Sequence, residues 1–142
     1  MKSILILVSL FLFAAATSLF AQMDIRPLMK VNVPFQFSVG EHSLPAGEYL
    51  ISSVQPERTI RISSVHGKNS AILAVSPLYK QSPSAKTCLT FNHYSGVYFL
   101  AEVETAGQDV ARTLPHGKLE TEVAKKNAAP ESTIVLAELT GR

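Results

Sequence analysis

The chain has 142 residues, with 13 Lys+Arg against 11 Asp+Glu for a formal net charge of +2, and one cysteine. A single cysteine excludes an intramolecular disulfide. Apart from the pair Lys125 and Lys126 the basic residues are scattered, so the basic face that a nucleic-acid binder needs is missing, and so is strong long-range steering of charged ligands.

The chain opens with Lys2, an apolar run from Ile4 to Ala16, and Thr17-Ser18-Leu19-Phe20-Ala21 leading into the polar Gln22. A charged start, a short apolar stretch and a small residue before a polar one make residues 1–21 a secretory signal peptide, cut after Ala21. Leu19 is bulkier than such a cut prefers, so cleavage after Ala16 or Ser18 is the alternative. The competing reading is a retained anchor. Ile4–Ala16 falls short of the roughly 20 apolar residues that cross a bilayer, although an extension to Ala21 nearly reaches. No cysteine lies near the cut to carry a lipid. The expected location is therefore periplasmic or extracellular, with membrane contact only through the leader. About 120 residues remain, enough for one domain with a self-sufficient core. Cys88 lies in the apolar run Thr87–Phe91, and burial as a small hydrophobe is favoured over a reactive thiol or a bridge between chains.

Residues 22–30 read as an N-terminal arm. Val31, Val33, Phe35, Phe37 and Val39 then alternate with polar residues, the pattern of a half-buried strand. Pro34 on its polar side lacks an N–H and predicts an edge or a bulge. Gly40–Gly47 is turn material. Strands are expected over Glu48–Val54, Arg58–Val65 and Ser70–Ser76, and Pro77–Ala85 reads as a loop. Further strands are expected over Lys86–Asn92, Val97–Val103 and Val110–Leu114. Lys118–Ala128 is rich in Glu, Lys and Ala, with Glu122 and Lys126 four apart, and predicts a short exposed helix. Thr133–Leu139 is either a last strand or a frayed tail.

About seven short strands at roughly ten-residue spacing define a mainly β fold, a single antiparallel β-sandwich or small β-barrel with a short C-terminal helix. The β domain covers residues 31–114, the helical segment 115–129, and the C-terminal strand or tail 130–142.

The stretch Val31-Asn32-Val33-Pro34-Phe35-Gln36-Phe37, followed by Leu44-Pro45-Ala46-Gly47-Glu48-Tyr49, resembles a family of small exported β-rich proteins of acidobacterial type. That family shares V-x-V-P-F-x-F and L-P-A-G-x-Y, and its later F-x-x-Y-x-x-x-Y-F-L-A-E is similar to Phe91 through Glu102. The resemblance reaches to about Glu122. It implies export and a β-rich domain, and brings no activity or site residues with it.

Motifs that carry chemistry are absent from the sequence. His42, His66, His93 and His116 include no pair at i, i+2 or i, i+4, the local spacing of zinc ligands. They read as turn histidines, with a non-local site of Glu41, His42 and His93 left open. There is no G-x-S-x-G, G-x-G-x-x-G or G-x-x-x-x-G-K. Glu102 and Glu104 share one strand face, whereas acid–base carboxylates flank a substrate from two sides, so a solvated sheet face is expected. Tyr94, Tyr98, Phe91 and Phe99 cluster around one turn, as core with a tyrosine tip or as a binding platform. The favoured function is a non-catalytic exported β domain that binds a protein or envelope component. The alternatives are a small-ligand-holding barrel and, behind it, a secreted hydrolase or metal enzyme. No cofactor is expected. The candidate surface or ligand residues are His42, His93, Tyr94 and Tyr98.

Overall fold

The computed structural model describes residues 25–55, 58–127 and 129–140. The signal peptide read from residues 1–21 lies outside them. The strands are β1 (Arg26–Val33), β2 (Phe37–Val39), β3 (His42–Leu44), β4 (Gly47–Gln55), β5 (Thr59–Ser64), β6 (Ser70–Ala74), β7 (Ser76–Tyr79), β8 (Cys88–Tyr94), β9 (Val97–Glu104), β10 (Val110–Thr113) and β11 (Glu131–Leu139). One helix, α1 (Lys118–Lys126), precedes the last strand.

These strands form one nearly closed barrel-shaped sheet rather than a sandwich. The ladder runs β3-β2-β9-β8-β11-β1-β4-β5-β6, with β10 joined to both β9 and β7. Only Val75 separates β6 from β7, so this bent segment carries the wall from β5 round to β10. At the remaining gap, the turn between β2 and β3 leans on β6: a Cβ on Gly40 would lie 3.2 Å from Leu73 Cδ2. Near-closure of this kind shortens the exposed edges that an open sheet of short strands presents.

The strand count exceeds the expected seven for local reasons. Pro34 interrupts the first alternating run, which becomes β1 and β2. Strand β1 also starts earlier than expected, at Arg26, inside the supposed arm, with a register shift between Pro27 and Met29. Two segments expected as turn and loop contain β3 and β7. Proline is tolerated in β7 because Pro77 pairs with Arg112 of β10 and the strand has no second neighbour among the described residues. The last segment is a strand, not a tail: β11 lies between β8 and β1. Its Val135 and Ala137 pack on the core, while Ile134 and Leu136 face outward and are exposed.

The interior is filled by alternate residues of the wall. Met29, Val31, Val33, Ile51, Ile60, Ile62, Leu89, Phe91 and Val103 are all buried. Phe37 links two rings edge-on, at 5.4 Å from Phe91 and 5.3 Å from Tyr49. Tyr49 is buried and its hydroxyl donates to the Pro45 carbonyl at 2.6 Å, which explains the spacing of Pro45 and Tyr49 in the turn. The helix packs outside the barrel. Glu41 Oε1 accepts from the Lys118 amide at 3.3 Å, and Asn127 Oδ1 accepts from Ser95 Oγ at 2.7 Å, so both helix ends are tied to hairpin turns.

Candidate functional site

The two ends of the barrel differ in chemistry. At the end marked by the β8–β9 turn, Phe35, Tyr98 and His93 form a stack. Ring centroids are 3.9 Å apart for Phe35–Tyr98 and 4.3 Å for His93–Tyr98, and Phe35 meets Phe91 edge-on at 5.2 Å. Ser95 and Gly96 both have positive φ, 45° and 90°, as a tight two-residue hairpin turn requires. That turn aims the Gly96 amide at His93 Nε2, 2.9 Å away. The accepting Nε2 therefore holds the lone pair, and Nδ1 carries the proton facing Glu131 Oε2 at 3.6 Å. This end is an aromatic plug.

Of the residues singled out from sequence, His93 and Tyr98 come together in this stack. Tyr94 does not join them. It is buried on the outer face of the wall, edge-on to Phe99, and burial followed by the charge of Glu120 pushes its phenol up. Beside it Glu120, the buried residue of α1, accepts from Asn92 Nδ2 at 2.8 Å and pairs with His116 at 3.1 Å. His42 stands exposed on β3. The carboxylate of Glu41 beside it is turned to the helix amide, and His66 is bonded to Glu48 at 3.0 Å. Among the described residues no three His, Cys, Asp or Glu side chains are placed to hold a metal ion.

Glu102 and Glu104 share the outer face of β9 as expected, but the face is covered rather than solvated. Lys80 reaches over from the end of β7 and bridges both, at 2.9 and 2.8 Å, and Ser84 donates to Glu104 at 2.8 Å. Burial raises the Glu104 carboxyl, but the bonds from Lys80 and Ser84 outweigh it and hold the group below its ordinary value. The bond to Glu104 raises the Lys80 ammonium in turn. Cys88, opposite Glu104 in the ladder, is buried, and burial and then Glu104 push its thiol up.

Among the described residues, the other end of the barrel is open. The start of β1, the far part of β4 and the β9–β10 turn surround a hollow of about 380 Å³ lined by Arg26, Leu28, Ser53, Gln108, Asp109 and Arg112, among others. Arg112 pairs with Val103, a core residue, and antiparallel partners share a face, so its side chain points into the barrel. It is 6% exposed. One of its terminal nitrogens donates to Gln108 Oε1 at 3.4 Å. Ser53 lies opposite Arg26 and, on its other side, opposite the core residue Ile60. Ser53 is 5% exposed, and its hydroxyl has no hydrogen-bond partner among the described residues. Buried hydroxyls without partners are uncommon and costly.

None of these residues was among the sequence candidates, although one signal was present. In Val110-Ala111-Arg112-Thr113-Leu114 the alternation places an arginine on the same side as Val110 and Leu114. Ser53 carried no such mark. Comparison with protein families, with characterised proteins and with solved structures finds no match for this chain.

Proposed function

We propose that the protein is an exported, non-catalytic binding module whose ligand sits at the arginine-lined end of the barrel. One observation carries this reading. At that end the apolar interior gives way to a hollow into which Arg112 points, as does the Ser53 hydroxyl, which has no hydrogen-bond partner among the described residues. Binding sites are concave, largely preformed and furnished with a few converging polar groups, and barrel mouths are common places for them. The rest of the interior is occupied by Met29, Ile51, Phe91 and their neighbours, so the ligand belongs at the mouth rather than in a central cavity.

The non-catalytic part of the proposal rests on how the reactive groups are engaged. The free lone pair of His93 is used by Gly96, and the Glu102–Glu104 pair is held by Lys80 on the outer wall, away from the hollow. Export rests on the pattern from Lys2 to Gln22. An envelope component or a small molecule derived from one is the natural partner for such a module.

Amide NMR of the purified protein against glucose, N-acetylglucosamine, glycine, indole, benzoate and inorganic phosphate tests the proposal. At least one probe should shift Ser53 and the 107–112 segment without being chemically changed. Probes that shift only other surfaces, or none that shift anything, would contradict it.

A further inference from the structure

The helix α1 is fastened to the barrel by polar bonds rather than by an apolar face. It has nine residues. Helices shorter than roughly 12–15 residues are marginal on their own, and most helical stability in proteins comes from packing an apolar face. Within α1 only Glu120 is buried, and its side chain is a carboxylate. Val123 and Ala124 are half-buried, and Leu119 is exposed. Gly117 at the N-cap makes no side-chain cap. Three bonds tie α1 to the wall: the Lys118 amide to Glu41 at 3.3 Å, Glu120 to Asn92 at 2.8 Å, and Asn127 to Ser95 at 2.7 Å. The first and last are exposed, so water competes for them. His116, which pairs with Glu120 at 3.1 Å, belongs to the segment just before the helix and adds no tie to a strand.

The wall beneath α1 is aromatic. Phe99 lies opposite Asn92 in the ladder, and Tyr94 is two residues further along β8, so all three share the outer face that meets the helix. Tyr94 and Phe99 meet edge-on at 5.9 Å. Both are buried, yet they stand apart from the cluster that fills the barrel, so their cover is on the outside. We propose that α1 is a releasable strap, which unfolds and lifts from the wall while the barrel stays intact, and whose release bares the Tyr94–Phe99 pair. Its two ends are anchored for this. Before the helix, Leu114 is buried and its amide donates to the Ala101 carbonyl at 2.9 Å. After it, β11 pairs with β8 from Glu131 onward and with β1 on its other edge. The strap therefore opens without pulling a strand from the sheet. It is a device of the aromatic end and does not depend on the reading of the other end as a ligand site.

Native-state amide exchange of the purified protein, followed by NMR in low urea, tests the strap. Amides of the Thr121–Lys126 turn should be at least about 100-fold less protected than those of β1 and β4. Their exchange should also respond weakly to urea, because lifting one helix exposes little surface, whereas the strand amides should respond steeply. Ile60→Val separates the two openings. It trims the core, which is intact whether the strap is closed or open. It should speed exchange in β1 and β4 by about fivefold and leave α1 unchanged. Glu120→Ala removes the partner of Asn92 and should speed α1 exchange by about tenfold. Nitration of Tyr94 by tetranitromethane, read by peptide mass spectrometry, should be faster than that of the core residue Tyr49 and should rise by about the same factor in Glu120→Ala. Wild type and Ile60→Val decide the matter if Glu120→Ala does not fold. Protection and urea dependence of α1 equal to those of the barrel, or faster α1 exchange in Ile60→Val, overturns the proposal. So does Tyr94 nitration no faster than that of Tyr49.

Discussion

Replacing Lys80 with methionine isolates what holds the two outer carboxylates. The Lys80 ammonium lies 2.9 Å from Glu102 and 2.8 Å from Glu104, and the three side chains are 32%, 20% and 17% exposed. Methionine keeps most of the stem that packs over the sheet and removes only the charge. Exposed ion pairs contribute about 0–1 kcal/mol, and breaking a buried pair costs about 3–5 kcal/mol. At these exposures the bridge falls between the two, so Lys80→Met should lose about 2 kcal/mol at pH 7. The pH dependence identifies the cause. Burial raises Glu104, but the bonds from Lys80 and Ser84 lower it further, so its folded value lies below the ordinary one. Such a group stabilises the fold above its unfolded value of about 4.3, and the contribution is lost as pH falls through the folded value. Lys80 is raised, so its contribution is complete below about 10.4 and is lost as pH rises through its folded value. Both contributions are therefore intact at pH 7. In the variant Glu104 faces Glu102 without a cation, and protonation of Glu104 relieves the repulsion. Urea unfolding followed by circular dichroism should show the deficit shrinking below about 0.5 kcal/mol near pH 3. A deficit of equal size at both pH values, or none at pH 7, refutes the electrostatic account.

Two other positions give independent tests. A Cβ on Gly117 would lie 2.9 Å from the Gly40 carbonyl oxygen, a backbone atom that cannot swing aside. Gly117→Ala should cost about 1–3 kcal/mol and speed amide exchange through α1, and unchanged exchange there would contradict the close packing of helix and hairpin. Cys88 is buried and its thiol is pushed up by burial and then by Glu104. Its reaction with a thiol reagent at pH 8 should be at least about 100-fold slower in the native protein than in urea, and rapid native labelling or a disulfide-linked dimer would contradict the burial.

The wall of the barrel was largely legible in the sequence, because alternation is a local property. Val31, Val33, Phe37 and Val39 face the core as their spacing predicts, and the helix at Lys118–Lys126 stands where the alternation stops. What was not legible depends on partners distant in sequence. Alternation in Val97–Glu104 does not reveal that one edge of β9 serves both β2 and β10, nor that β11 slots between β8 and β1, so barrel and sandwich read alike. Pro77 marked a loop because a proline gives up a donor, yet β7 has a free edge where that loss is harmless. The candidate site was less legible. Tyr94 and Tyr98 read as neighbours at one turn, but a tyrosine at a turn does not announce which face it occupies: Tyr98 stacks on His93, a pairing the sequence did not suggest, and Tyr94 lies on the other face, under the helix. Glu102 and Glu104 read as solvated because the lysine that covers them is more than twenty residues earlier. Arg112, a charge on an apolar face, left a signal in the sequence but was not among its candidates, while Ser53 becomes informative only once its neighbours are known.

The central claim is that the barrel is plugged at its aromatic end and receptive at its arginine end. The most direct measurement is the anomalous bromine signal from crystals soaked in 4-bromobenzoate. The account predicts one ordered bromine in the hollow beside Leu28 and Val110. A bromine lodged against Phe35 and Tyr98, or on the outer face at Ile134 and Leu136 with the hollow unoccupied, would contradict it.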